Sequence, residues 1–379
     1  MRIDAPTPLL GGLSPERFMR RHWYKQPLLV RQAVPGCRPP LDRAALFALA
    51  QDDEVESRLL VRSGGAWRLR HGPLARRALP PLSRPGWTLL VQGVDLHVDA
   101  ARTLLDRFRF VPDARLDDLM ISYASDGGGV GPHVDSYDVF LLQASGRRRW
   151  QIARRYDPRL QSGLPLAILR HFEPEQEWVL EAGDMLYLPP GWAHDGVAVG
   201  GDCMTCSIGM RAPRREALAR EVLQRALDET EAAERDALYR DPRQGATCEP
   251  GRIPPALAAF ASAAVARLAG DSRAMACALG EVLSEPKPNV RFDPGPAREA
   301  GRGVRLDRRS RMLHDSERVY LNGESYRVAG RDARAMRMLA DRRELGAPTI
   351  ARLSAEARSV LDAWVRVGWL HDIADDGDR

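Results

Sequence analysis

"GPHVDSYDVFLLQASGRRRW", residues 131–150, decides how this chain folds. His133 and Asp135 stand two positions apart where the chain becomes apolar and strand-like. Residues two apart in a strand share a face, so these side chains point the same way, and Tyr137 points with them. A bare His-x-Asp is a weak signal in a chain with 8 histidines and abundant aspartate. "DLHVDA" holds a second copy, His97 and Asp99, which reads as a solvated strand end.

A downstream stretch sets His133 apart. "EAGDMLYLPPGWAHDGVAV" (181–199) carries a Gly-Asp turn, an apolar strand, a Pro-Pro-Gly turn and then His194, about 60 residues past His133. In an antiparallel barrel that interval lets the chain go out, turn several times and return on a neighbouring strand. His133, Asp135 and His194 then supply two imidazoles and one carboxylate. That donor set holds ferrous iron by one face and leaves the remaining positions for substrate and oxygen. Singly, each residue is equally well read as a satisfied strand histidine or a paired aspartate; together they point to a metal. "DGGGVG" (126–131), just before His133, lacks the Lys and Ser or Thr of a phosphate loop and leads into a strand, so it reads as flexible backbone beside an open site.

The basic end of the opening stretch comes after a turn expected at Ser145 and Gly146. Alternation then puts Arg148, Trp150 and Ile152 on one face and Arg147, Arg149 and Gln151 on the other. The face with Trp150 and Ile152 should be buried, and a buried guanidinium needs an anion because it cannot shed its proton. Two partners are open: an internal carboxylate such as Asp138 or Glu181, or the far carboxylate of a dicarboxylate cosubstrate that chelates iron through its 2-oxo acid end.

Composition limits the alternatives. Hydrophobic residues make up 44% and charged residues 28% of 379, values of a soluble globular chain long enough for two to three domains. No apolar run is long enough to cross a bilayer, and the start "MRIDAPTPLLGGLSPERFMRRHW" is too interrupted by charge for a signal peptide, so a cytoplasmic protein is expected. Cys37, Cys203, Cys206, Cys248 and Cys277 are an odd, scattered set that argues against a disulfide framework. Cys203 and Cys206 form a CxxC in a β-like run without a second pair, and read as ordinary strand residues. The net charge is +5, but only Lys25 and Lys287 among the 56 basic residues are lysine, and 51 acidic residues are interspersed, so no nucleic-acid patch stands out.

The chain changes character along its length. Residues 1 to about 90 mix short helices and strands, with Ser14 as a helix cap. From about 87 to 212, short β-rich runs separated by Gly, Pro, Ser and Asp have the cadence of an antiparallel sandwich or barrel. Residues 213–285 are helical: Leu218, Val222, Leu223, Ala226 and Leu227 form one stripe, and the Ala-rich "PPALAAFASAAVARLAG" comes after it. These apolar faces need covering, by neighbours or by a second subunit. "SEPKPNVRFDPGPA" is a linker, and "VYLNGESYRV" reads as a hairpin turning at Asn322 and Gly323 ahead of helices around 332–343 and 353–367. A hairpin with helices suits a winged-helix-like module. Residues 291–379 hold 18 Arg against 15 Asp or Glu, too small a surplus to suggest DNA binding.

"DDLMISY…DGGGVGPHVDSYDVFLLQASGRRRW", "GDMLYLPPGWAH" and "SIGMRAP" closely resemble the bacterial JmjC-domain ribosomal oxygenases, which hydroxylate an arginine of the large-subunit ribosomal protein L-sixteen. The resemblance is densest over about 87–213. It implies an α+β chain: a double-stranded β-helix of the cupin, jelly-roll or JmjC type within residues 1–212, a helical dimerisation region at 213–285, and a winged-helix-like domain at 291–379. It further implies Fe(II) bound by His133, Asp135 and His194, 2-oxoglutarate held by Arg148, and O2 as oxidant. Asp118, Met120, Tyr137 and Ser207 would surround the target arginine in a homodimeric enzyme. In "DDLMISYA" strand alternation separates Asp118, Met120 and Ser122 from Leu119, Ile121 and Tyr123. Met120 and Tyr137 can flank an aliphatic stem while Asp118 takes the guanidinium. Where the family has a serine nine residues before the first ligand this chain has Ala124, so either Ser122 or Ser125 substitutes or the contact is absent.

The expected function is therefore an Fe(II)- and 2-oxoglutarate-dependent protein hydroxylase. One rival is an oxygenase of the same fold acting on histidine or methyl-lysine of another protein. The other is a non-catalytic, cupin-like metal-binding regulator using its C-terminal domain on DNA, which the small charge surplus there and the inward Arg148 disfavour.

Overall fold

The computed structural model describes residues 2–233, 238–242, 246 and 250–373; Cys248 and the 234–237 part of the expected helical run lie outside the described residues. The chain divides into two compact units. One comprises Met1–Ala212 with Pro288–Arg291, the other Pro213–Lys287 with Phe292–Arg379.

The first unit begins with α1 (Pro15–Arg21), β1 (Leu28–Val30), α2 (Arg43–Leu49), β2 (Ser57–Ser63), β3 (Ala66–His71), β4 (Trp87–Val91) and α3 (Asp99–Asp106). Ser14 caps α1 as expected, its Oγ accepting from the Arg17 amide, and Asp42 caps α2 from the Ala45 amide. The site strands come next: β5 (Leu116–Ala124), β6 (His133–Val134), β7 (Val139–Ala153), β8 (Gln176–Leu180), β9 (Met185–Leu188) and β10 (Ala193–Met210). They form one antiparallel sheet in the order β1-β9-β7-β10-β5-β4-β2-β3, with β6 on β10 and β8 on β7.

β7 and β10 are the frame. The first half of β7 pairs with β9 and its second half with β8, while β10 takes β6 and then β5 as its outer neighbour. Ser145 and Gly146, expected as a turn, instead lie inside the continuous β7. The partner strand shifts register between Val199 and Met204 opposite them, and Gly146 takes φ +65 where a Cβ would meet the Asp202 backbone. A bulge with a glycine in the left-handed region bends a strand without ending it. The second His-x-Asp is also not a strand end: His97 caps a short 3-10 turn and Asp99 opens α3.

Alternation on β5 is as read from the sequence. Leu119, Ile121 and Tyr123 face a core with Phe18, Phe140 and Tyr187, whose rings meet at 4.9–5.5 Å between centroids. Truncating Phe140 to Ala there would cost about 3–5 kcal/mol. Cys203 and Cys206 are buried in different apolar clusters, and burial pushes the Cys206 thiol well above its ordinary pKa, which fits ordinary strand residues.

The second unit holds α4 (Arg215–Ala233), α5 (Pro255–Gly270) and α6 (Ser272–Ser284). Beyond them come β11 (Gly303–Leu306), β12 (Met312–His314), β13 (Arg318–Leu321), β14 (Glu324–Arg327), α7 (Gly330–Arg342), β15 (Glu344–Leu345), α8 (Ala347–Ile350), α9 (Ala355–Arg366) and β16 (Leu370–Ile373). The β13–β14 hairpin turns at Asn322 and Gly323, both at positive φ, as a two-residue turn of that sequence requires. α7 and α9 are the two expected helices, and Met336, Leu339, Leu361 and Trp364 from them pack with Val304 and Leu370. No helix among the described residues is long and apolar enough to cross a membrane.

Candidate metal centre

β6 and β10 pair so that His133 and His194 stand directly opposite each other, their rings 4.2 Å apart between centroids. Asp135 lies just past the end of β6. It joins them because the Gly191 amide, in the Pro-Pro-Gly turn, donates to the Asp135 carbonyl at 2.9 Å. Asp135 Oδ2 lies 3.6 Å from His194 Nε2 and Oδ1 lies 4.0 Å from His133 Nε2. Among the described residues this is the one group of three His, Cys, Asp or Glu side chains whose donor atoms converge within 4.8 Å.

Both rings are oriented by the backbone. His133 Nδ1 lies 2.8 Å from the Gly131 carbonyl oxygen and His194 Nδ1 3.0 Å from that of Trp192. A carbonyl only accepts, so each Nδ1 carries the hydrogen and each Nε2 turns a lone pair toward Asp135. Burial, and then the neighbouring His133, lower the His194 pKa to about 4, which keeps that ring neutral. Two neutral imidazoles and a carboxylate can hold a divalent ion of the iron type with one face open.

From Gly128 onward the glycine loop before His133 is tightly packed, where its composition suggested flexible backbone; only Gly127 among its glycines has open space around it. A Cβ on Gly129 would meet the Gly196 carbonyl at 2.6 Å, and the Gly129 carbonyl accepts from Thr88 Oγ1. The glycines allow backbones to touch and so fix the start of β6.

The triad opens into a cavity of about 320 Å³ that Arg148, Asp118, Met120, Ser122, Tyr137 and Ser207 also line. Every site residue read from the sequence is therefore in one place. Arg148 is 3% exposed; its Nη2 donates to Ser122 Oγ and its Nη1 to the Gly196 carbonyl, each at 3.3 Å, while its Nε has no hydrogen-bond partner. The internal ion pair considered for it is not formed. Asp138 accepts instead from the Tyr187 hydroxyl and the Tyr24 amide, and among the described residues no carboxylate stands at ion-pair distance from Arg148. Of the two serines near Ala124, Ser122 is in the cavity, whereas the Ser125 hydroxyl is taken up by the Trp87 backbone.

Ser207 on β10 pairs across from Met120 on β5. Asp118 is 2% exposed and accepts from the Gln92 amide at 2.9 and 3.0 Å. Tyr137 is 38% exposed at the mouth, and burial of its phenol, reinforced by the Asp135 charge, raises its pKa. The cavity also includes Gln92 and Arg58, which no motif marks. Their one signal was phase: Gln92 extends the Thr88, Leu90 alternation of β4, and Arg58 sits across from Leu90.

Comparison with known proteins agrees with this geometry. The JmjC domain family model matches residues 103–218, and the ROXA-like winged helix model matches residues 267–371. The chain is 40% identical over 215 residues to the ribosomal protein uL16 3-hydroxylase of Escherichia coli (strain K12), covering 55% of this chain and 57% of that one. It is 36% identical over 206 residues to a probable ribosomal oxygenase of Haemophilus influenzae, covering 53% and 50%. The chain thus spans about half the length of the curated relatives it matches. Over the whole fold it superposes on a crystal structure of the Escherichia coli ribosomal oxygenase YcfD with a TM-score of 0.79 at 30% identity, covering 95% of this chain and 98% of that one. A YcfD structure in complex with cobalt and 2-oxoglutarate matches with a TM-score of 0.78 at 29% identity, covering 96% and 99%. With the facing histidines, the converging carboxylate and both domain types present in order, this chain belongs to the JmjC-domain ribosomal oxygenases.

Proposed function

We propose that the protein is an Fe(II)- and 2-oxoglutarate-dependent dioxygenase that hydroxylates the β-carbon of an arginine side chain in the large-subunit ribosomal protein uL16, the L-sixteen protein, in the cytoplasm. The observation that carries this reading is one cavity holding both a His-Asp-His donor set and a buried guanidinium that has no carboxylate at ion-pair distance among the described residues. A buried cation without a directly paired anion is costly, and an anionic cosubstrate relieves that cost.

When bound, iron with 2-oxoglutarate supplies oxidation of an unactivated C–H bond by O2. The chain's own residues hold and aim the reactants. His133 and His194 offer Nε2 and Asp135 a carboxylate, Arg148 takes the far carboxylate of the cosubstrate, and Ser122 stands where it can share that contact in place of the family serine. Asp118 receives the target guanidinium, Met120 and Tyr137 flank its aliphatic stem, and Ser207 stands beside Met120 on the neighbouring strand. Such positioning is the protein's main contribution in cofactor chemistry.

The domain roles accord with the same reading. Residues 1–212 carry the chemistry, with the β-helix core at about 87–212, and 291–379 form the winged-helix-like domain. Residues 213–285 join two chains in a homodimer. In support, α5 (PALAAFASAAVARLAG) has no buried residue, and Leu223 and Leu227 of α4 and Phe260 of α5 are exposed at 39%, 44% and 40%. Apolar helices left open in this way fit a self-complementary interface.

The test is mass spectrometry of uL16 peptides after incubation with protein, Fe(II), 2-oxoglutarate and O2. Gain of one oxygen on arginine supports the assignment. Oxidation confined to histidine, or loss of methyl from a methyl-lysine peptide, moves the substrate to the rival class, and absence of succinate formation with any ribosomal protein rejects the enzyme.

A further inference from the structure

Gln92 comes directly after the last residue of β4 and links two charges of the cavity that do not touch. Its Nε2 donates to Asp118 Oδ1 at 3.0 Å and Oδ2 at 2.9 Å, and its Oε1 accepts from Arg58 Nη2 at 3.3 Å. A guanidinium only donates and a carboxylate only accepts, so a single amide orientation satisfies both neighbours. The sheet puts these residues together: Arg58 on β2 is opposite Leu90 on β4, which is opposite Ser122 on β5, so the three strands present one row to the cavity. Arg58 also lies 3.9 Å from Glu56, an exposed carboxylate, so its charge is drawn outward as well as toward Gln92.

The arrangement has a chemical consequence. A resident guanidinium and a buried carboxylate in one small cavity would pair directly if nothing stood between them, since a charge-assisted, two-pronged contact is the strongest each can make. A resident pair would compete with any incoming guanidinium, and being intramolecular it would compete at high effective concentration. Gln92 prevents this by filling the gap with an amide whose dipole suits both ends. It also fixes the carboxylate's rotamer, so that a substrate does not have to order it.

We propose that Gln92 is a positioning and specificity residue: it orients Asp118 for the target guanidinium and keeps Arg58 from occupying that carboxylate. This role rests on the arginine reading above. Gln92→Leu, which keeps the volume but loses both polar ends, should raise KM for an arginine peptide about tenfold with a much smaller change in kcat. Adding Arg58→Gln to Gln92→Leu should recover most of that loss, because the guanidinium that Gln92 holds apart from Asp118 is then gone while Arg148 is engaged by the bound 2-oxoglutarate. Gln92→Asn keeps an amide but is too short to span both partners, and should shift KM in the same direction; it also serves if the leucine variant does not fold. Calorimetric Kd values for the same peptide on the cobalt- and 2-oxoglutarate-loaded protein should track KM. The proposal is overturned if either single variant binds peptide as the wild type does, or if adding Arg58→Gln brings no recovery. A wild-type protein that oxidises no arginine peptide overturns the substrate reading itself, an outcome separate from any difference among the variants.

Discussion

His133 and His194 face each other across the β6–β10 ladder, and each ring donates Nδ1–H to the carbonyl of the residue two positions before it, Gly131 and Trp192. Two strands thus present matched Nε2 lone pairs through the same local device. Both carbonyls belong to turns rich in glycine or proline, which hold the ring planes before any metal arrives.

Among the described residues Asp135 supplies the one carboxylate that converges with those rings, so Asp135→Ala should lower affinity for Fe(II) or Co(II) by more than about a hundredfold. The fold should persist, because Asp135 is anchored through its backbone carbonyl to Gly191 and its side chain points at the two histidines rather than into the core. Isothermal titration with cobalt, alongside the melting temperature of the metal-free protein, checks both halves. Wild-type affinity in that variant would remove Asp135 from the site.

Arg148 invites a prediction with opposite signs. Its guanidinium is 3% exposed, makes two hydrogen bonds of 3.3 Å and leaves Nε without a partner. Arg148→Met therefore removes a buried charge that has no carboxylate at ion-pair distance among the described residues and should leave the melting temperature of the metal-free protein unchanged or higher. In the same variant KM for 2-oxoglutarate should rise about ten- to a hundredfold, as expected for losing a charge-assisted contact. A drop in melting temperature with unchanged KM would make Arg148 a structural residue.

The grouping of His133, Asp135 and His194 with Arg148 around one cavity was legible in the sequence because strand alternation and turn residues constrain where a side chain points. Asp118, Met120, Tyr137 and Ser207 needed the family resemblance, since an aspartate or methionine in a strand fits a core or a turn equally well. Three features were not legible for a physical reason. Whether Ser145-Gly146 ends a strand or bends one depends on the register of the partner β10, some 50 residues away. Whether a glycine-rich loop is loose or tight depends on what packs against it, here the Gly196 carbonyl. Gln92 and Arg58 enter the cavity through the pairing of β2, β4 and β5, and no local pattern encodes that order.

If Asp118 receives the target guanidinium, Asp118→Ala should reduce turnover of an arginine peptide about ten- to a hundredfold with metal affinity largely kept. Replacing the target arginine by lysine should hurt comparably, because an ammonium lacks the planar fork. Steady-state kinetics on the two peptides provides the check. An Asp118→Ala enzyme as active as wild type would place substrate recognition elsewhere in the cavity.

The exposed stripe on α4 gives the proposed dimer a direct test. Leu223→Glu with Leu227→Glu puts two charges on a surface that a second chain would cover, so sedimentation at micromolar concentration should shift from dimer to monomer. A wild-type protein that already sediments as a monomer would leave these helices without the proposed role.

The second unit carries its own pH dependence at Asp307. This carboxylate is 3% exposed and accepts from Arg309 Nε at 2.8 Å and from His371 Nε2 at 2.7 Å. Burial alone would raise its pKa, but the hydrogen bonds from Arg309 and His371 outweigh that and hold it below the ordinary carboxylate range. A carboxylate with a depressed folded pKa binds protons less readily in the folded than in the unfolded state. Its stabilising contribution is therefore complete above the unfolded value, about 3.9, and is lost as pH falls through the lower folded value. Asp307→Asn removes the charge while keeping the shape and should cost about 1.5–3 kcal/mol near neutral pH. The gap in unfolding free energy between wild type and variant should stay constant from neutral pH down to the unfolded carboxylate pKa and close only below it. Chemical denaturation across that range measures it, and a gap that closes well above the unfolded carboxylate pKa would remove the Asp307 charge as its source.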